Sequence, residues 1–158
     1  MKILIGADKG GYRIKEAVIQ HLHERGMDIE DIGIYSLDKP VPFTALASEA
    51  SRRIQSGAAE RAILVCGTGM GMAITANKFK GVRAAVVESQ YAARYSRKIN
   101  DANVLCMGGF IIGPDMACEI VDTFLETGFL EDFPQWRIDF LTTQKAALEE
   151  IENINFKE

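Results

Sequence analysis

Five short apolar runs, each followed by a stretch with helical spacing, limit what this chain can fold into. Residues 2–6, 28–34, 62–66, 82–87 and 103–107 have the length and β-branched content of strands. Between them, 12–25 carries Ile14, Val18, Ile19 and Leu22 on one side of a helix, 43–54 is rich in alanine, and 68–78 and 89–98 read as helices. Pro114 sits in the first turn of a helix over 114–126. The Phe133-Pro134 break precedes a last helix over 136–151. Strands alternating with helices need crossover connections, so the pattern predicts an α/β fold: a parallel sheet covered by helices on both faces. In such sheets ligands bind beyond the carboxyl ends of the strands.

The chain has 158 residues, 47% of them hydrophobic, with no internal repeat or linker, so residues 1–158 are read as one domain with room for a core. Eighteen basic residues against twenty-two acidic leave a net charge of −4, which argues against nucleic acid or an anionic membrane as partner. No apolar run approaches the ~20 residues that cross a bilayer, and the N-terminus lacks the features of a signal peptide. Cys66, Cys106 and Cys118 are odd in number and widely spaced, against a disulfide framework and against a zinc site. A reduced cytoplasm is the expected location.

Residues 61–79, RAILVCGTGMGMAITANKF, carry the most functional information. A strand ends at Cys66 and passes through Gly67-Thr68-Gly69-Met70-Gly71 into a helix. Such a turn faces backbone N–H groups toward a ligand, with the positive end of the helix behind them. This suits a phosphate or a developing oxyanion, and the same field favours the thiolate of a cysteine at the turn. The alternative reading is a small buried residue ending a strand, with glycines chosen for close packing.

Several further blocks extend this one: GADKGGYRIKE (6–16), SGAAERAILVCGTGMGMAITANK (56–78), GVRAA (81–85), ARYSRKINDANVLCMGG (93–109) and IVDTFL (120–125). Over nearly its full length the chain resembles the type B ribose-5-phosphate isomerases and the paired subunits of galactose 6-phosphate isomerase. The resemblance implies a three-layer α/β/α sandwich with a five-stranded, Rossmann-like parallel sheet. It implies a dimer or tetramer with active sites between subunits, and aldose–ketose isomerisation of a phosphorylated sugar without metal or organic cofactor. Such a reaction needs a base beside the carbonyl carbon and donors for the enediolate oxygens. The resemblance gives the first role to Cys66, the second to the amides of Gly67 to Gly71 (Gly67, Gly69, Met70 and Gly71 among them), and a proton relay to Thr68. Asp8 and Asn100 match positions that hold sugar hydroxyls; their structural alternatives are a loop-end cap and a helix C-terminal turn. Cys106 and Cys118 fall where cysteine is a small core residue.

The departures carry information too. Histidine after the first aspartate becomes Lys9, and the ring-opening histidine before the NDAN block becomes Ile99. A tyrosine-proline pair becomes Val41-Pro42. Of three phosphate arginines only Arg137 remains, the others being Phe110 and Phe133. Lys9, Arg13, Arg97 and Lys98 are the candidate replacements, with Lys9 at the first strand end. His21 and His23, late in the first helix, are read as solvated. A more apolar site without a ring-opening group points away from ribose 5-phosphate and toward an open-chain sugar phosphate such as a tetrulose phosphate. Three readings follow: a homo-oligomeric isomerase of altered specificity, the cysteine-loop subunit of a hetero-oligomeric isomerase, and a non-catalytic module that binds a phosphorylated metabolite.

Overall fold

The computed structural model describes residues 1–156. Its order is β1 (Ile3–Ala7), α1 (Tyr12–Glu24), β2 (Ile29–Asp31), α2 (Phe43–Gln55), β3 (Arg61–Cys66), α3 (Met70–Ala76), β4 (Ala84–Val86), α4 (Gln90–Lys98), β5 (Val104–Gly108), α5 (Pro114–Glu126) and α6 (Gln135–Asn155). The five strands form one parallel sheet in the order β2-β1-β3-β5-β4. The expected α/β sandwich is therefore present. β1 and β5 are buried along their length and β3 from Ala62 onward, which is why their sequences read as continuous apolar runs rather than alternating ones.

Two cores flank the sheet. Ile14, Val18 and Leu22 of α1 and Ile120, Val121 and Phe124 of α5 pack on one face, joined by Ala93 of α4. Leu46, Ala47 and Ala50 of α2 and Met72, Ala73 and Ala76 of α3 pack on the other. The chain leaves β1 for β2 on one side and returns to β3 on the other. The direction of winding thus reverses between β1 and β3, the place where open α/β sheets leave a crevice. Asp8 and Cys66 end these two strands.

Three elements are shorter than their periodicity predicts. β2 stops at Asp31 because Gly33 takes φ +110° and its amide turns to the Asp31 side chain at 2.9 Å. α3 cannot begin at Thr68, because Gly69 has φ +76°. β4 spans only Ala84–Val86, an edge strand bonded on one side. α6 differs in kind: of its 21 residues only Leu141 is buried. It is tied to the body by Lys145, whose Nζ donates to Asp101 at 2.8 Å, and by Glu152, which accepts from the Gly81 amide at 3.2 Å. No helix is long and apolar enough to cross a membrane among the described residues.

Candidate active site

The loops after β1, β3 and β5 meet at the carboxyl end of the sheet through glycine backbone. The Gly109 amide donates to the Cys66 carbonyl at 2.7 Å and the Phe110 amide to the Gly67 carbonyl at 3.0 Å, so the β5 loop is laced to the turn. The approach is close enough to exclude side chains. A methyl group on Gly11 would lie 2.3 Å from the Val65 carbonyl oxygen, and one on Gly109 2.2 Å from the Gly10 oxygen. Much of the glycine signature of this region is thus a packing requirement, as the alternative reading had it. The packing also brings three loops to one place.

Within that frame the Cys66 sulfur, almost wholly buried at 5% exposure, accepts a hydrogen bond from the Gly69 amide at 3.1 Å. The left-handed backbone at Gly69 turns that amide back toward the sulfur. Thr68 is exposed beside it, and its hydroxyl oxygen takes the Met70 amide at 3.4 Å. The amides of Gly67, Thr68, Gly71 and Met72 make no hydrogen bond among the described residues, leaving donors for an anionic oxygen. Because α3 is only 7 residues long, these local amides rather than a long helix dipole supply the field.

Asp8 at the end of β1 uses one carboxylate oxygen to accept from the Gly10 and Gly11 amides at 2.8 and 3.2 Å. It is therefore a loop cap, with its second oxygen free of hydrogen bonds among the described residues. Lys9 is exposed on the same loop. Asp8, Lys9, Cys66 and the 67–71 turn are together.

Asn100 and Arg137 are elsewhere. Asn100 lies in the turn before β5, at the amino end of the sheet, and is exposed. Arg137, in the first turn of α6, has its guanidinium carbon 4.2 Å from the centre of the Phe133 ring. Lys98, at the end of α4, places its ammonium 4.6 Å from that same ring. Neither cation joins an ion pair among the described residues. One chain therefore brings together eight of the ten candidate residues and leaves Asn100 and Arg137 apart from them.

Other expectations change. Arg97 is no substitute anion ligand: it is buried and committed to Asp101 at 2.8 Å and the Ala102 carbonyl at 2.6 Å. His21 is not simply solvated, since its Nε2 lies 2.9 Å from the Asp122 carboxylate on α5; His23 is exposed. Burial pushes the Cys106 thiol far up and that of Cys118 up as well, which suits neither to proton abstraction.

Two neighbours of the site escape a reading based on motifs. Lys15 is fully buried, with its ammonium 2.6 Å from Asp31, 2.7 Å from the Ile34 carbonyl and close to the rings of Tyr12 and Tyr35. It pins the loop after β2 to α1. Its place on the Val18 and Leu22 face of α1 was the available signal. Phe43, at the start of α2, lies against Gly71; nothing in its local sequence marks it.

A family model described as Ribose/Galactose Isomerase matches residues 3–141. The chain is 52% identical over 152 residues to a 4-deoxy-4-sulfo-D-erythrose isomerase of Clostridium sp. (strain MSTE9), covering 96% of each. It is 38% identical over 131 residues to D-erythrulose-4-phosphate isomerase 2 of Mycolicibacterium smegmatis, covering 82% of this chain and 86% of that protein. Among solved structures, the ribose-5-phosphate isomerase B of Clostridium thermocellum superposes with a TM-score of 0.87 at 38% identity, covering 97% of this chain and 98% of that one.

Proposed function

The chain belongs to the ribose/galactose isomerase family, and from that premise we propose that it interconverts a four-carbon aldose and ketose bearing a terminal acid group, sulfonate or phosphate. It is an aldose–ketose isomerase. Cys66 takes the proton from carbon 2 of the aldose. The free turn amides hold the resulting enediolate, and Thr68 passes a proton from the second oxygen to the first. The Cys66 thiol then returns its proton to carbon 1, leaving the ketose. The observation that carries the reaction is the Cys66 sulfur held at 3.1 Å by the Gly69 amide, beside four unengaged N–H groups.

The four-carbon assignment rests on the chemistry of the substrate. A pentose phosphate is largely a closed furanose and must open before its carbonyl can react. A tetrose whose fourth carbon carries the acid group has no hydroxyl left to close a five-membered ring. Ile99, which can give no proton, is then no defect. A sulfonate carries a single negative charge, so it needs fewer cations than a phosphate dianion. Arg137 and Lys98, sharing the Phe133 ring, are the cations we assign to it. The names of three relatives, one a sulfo-erythrose isomerase and two erythrulose-4-phosphate isomerases, support this reading.

We assign the acid-binding half of each site to a second copy of the chain. Asn100 and Arg137 stand at the wrong end of the sheet for their own Cys66. α6 also exposes Trp136, Phe140, Leu148, Ile151 and Ile154, more apolar surface than a lone helix face supports. A homodimer or homotetramer follows, in a reducing cytoplasm where the thiol survives.

Incubating the protein in deuterated water with 4-deoxy-4-sulfo-erythrose, erythrose 4-phosphate and ribose 5-phosphate tests the proposal. The expected result is rapid deuterium incorporation into a four-carbon product, with kcat/KM for ribose 5-phosphate well below ~10⁴ M⁻¹s⁻¹. Turnover of ribose 5-phosphate at ordinary rates, with none of either tetrose, would overturn it.

A further inference from the structure

Two phenylalanine rings stand at the ends of the Cys66 turn. Phe110 follows β5, and its ring lies so close to the loops below that a methyl group on Gly67 would meet it at 2.6 Å and one on Gly10 at 3.1 Å. Phe43 opens α2 and lies against the far end of the turn, where a methyl group on Gly71 would meet it at 2.7 Å. The rings thus bracket the first and last glycine of the segment whose amides face the site. Neither is a core residue: Phe110 is 80% exposed and Phe43 38%. Both are held from behind, Phe110 by its amide bond to the Gly67 carbonyl and Phe43 by its place in the first turn of α2. Exposed rings with anchored backbones form walls rather than filling.

We infer that Phe43 and Phe110 determine specificity by limiting the length of the sugar that the turn accepts. A phenyl ring occupies volume and offers no hydrogen-bond partner. A polyol chain longer than the space between the rings must press hydroxyl groups against them, and those hydroxyls lose water without gaining a partner. A short chain, with its reacting carbons over the turn and its acid group leading away, avoids that loss. An isosteric polar wall would discriminate less, because it would accept the extra hydroxyl. This inference rests on the isomerase reading above and adds a cause for its four-carbon preference that is independent of ring opening.

Inhibition by alditol phosphates separates the two causes, because erythritol 4-phosphate, ribitol 5-phosphate and glucitol 6-phosphate all lack a carbonyl and none closes a ring. With the wild-type protein and its four-carbon substrate, each added carbon should weaken inhibition at least ~10-fold, the scale of a lost polar contact. In Phe110→Ala, Phe43→Ala and the double variant the series should collapse to within about threefold of a common value. Phe110→Leu, which restores much of the volume, should recover part of the spread. Equal inhibition by all three compounds in the wild type overturns the inference, as does an unchanged spread in folded variants. A fall in molecular mass on light scattering, with the spread intact, also overturns it, because the rings would then be subunit contacts. Failure of the isomerase reading looks different: no tetrose is turned over at all, while direct binding of the three phosphates still reports whether the spread exists.

Discussion

The two ends of the sheet are built from different materials. At the carboxyl end, three loops are locked by glycine backbone at distances that admit no side chain, and the Cys66 sulfur is held by an amide. At the amino end, a single carboxylate, Asp101, gathers Arg97 at 2.8 Å, Arg83 at 3.0 Å and Lys145 at 2.8 Å. Burial pushes the Asp101 carboxyl up, but the bonds from Lys145 and Arg97 and the charges of Arg97 and Arg83 outweigh it and hold it below its ordinary range. Chemistry that must hold an enediolate gains from a surface that does not rearrange, which packed backbone provides. The arm that we propose docks on another copy needs only a tether, which a few charged contacts provide.

The sharpest break of this comparison removes the sulfur. Cys66→Ala should keep the fold and lower turnover by at least ~10², the scale of a lost general base. Arg137→Ala should weaken substrate binding instead. Mixing the two variants should restore activity, because a hybrid dimer contains one site with both an intact Cys66 and an intact Arg137. Proven hybrids without activity would show that the two ends do not serve one site.

The rigidity of the carboxyl end is tested next. Gly11→Ala drives a methyl group to 2.3 Å from the Val65 carbonyl oxygen, against strand backbone that has no room to yield. It should cost at least ~1–3 kcal/mol and lower the melting temperature by roughly 2–4 °C per kcal/mol. Gly113→Ala, where nothing lies within 4 Å, is the matched control and should melt like the wild type. Equal melting of the two variants would mean that the close approach bears no load.

Much of this contrast was legible in the chain. Strands β1, β3 and β5 and helix α5 stand where apolar runs and Pro114 put them. The Cys66 turn was legible because glycine spacing reports backbone geometry directly. The amino end was less so. Asn100 and Arg137 came from the family resemblance, and nothing in local spacing says that they lie opposite Cys66. Arg97 looked available because a sequence shows a charge but not the Asp101 that consumes it. Phe43 and Lys15 were missed because their partners, Gly71 and Asp31, are contributed by other elements, so no periodicity links them. The short β2 and α3 reflect single positive-φ glycines that override the run of favourable residues around them.

A gentler change loosens the tether. Asp101→Asn keeps an acceptor for Lys145 but removes the charge that three cations share, at a cost of roughly 1.5–3 kcal/mol, the scale of a hydrogen bond to a charged group. Hydrogen exchange should accelerate in α6 while the rate of Cys66 alkylation stays the same. Acceleration at both ends would show that they are mechanically one unit.

The smallest expected effect comes from acid. Hydrogen bonds from Arg53 and then Lys2 hold the Glu30 carboxyl down to about 2, and Asp101 is also held below its ordinary range. A carboxylate depressed in the folded state stabilises the fold above its unfolded pKa, roughly 4, and loses that contribution as pH falls through the folded value. Stability should therefore be flat from pH 7 to 5 with respect to these two groups and decline below ~4. Because Glu30 is well exposed, its share is small. Trp136, the only tryptophan, sits on α6 and reports on the arm alone, while circular dichroism reports on the whole fold. The Asp101 tether should fail first, so the fluorescence of Trp136 should change at a higher pH than the helical signal. If the two transitions coincide, α6 is no arm, and the division of the molecule into a rigid reacting end and a tethered docking end fails with it.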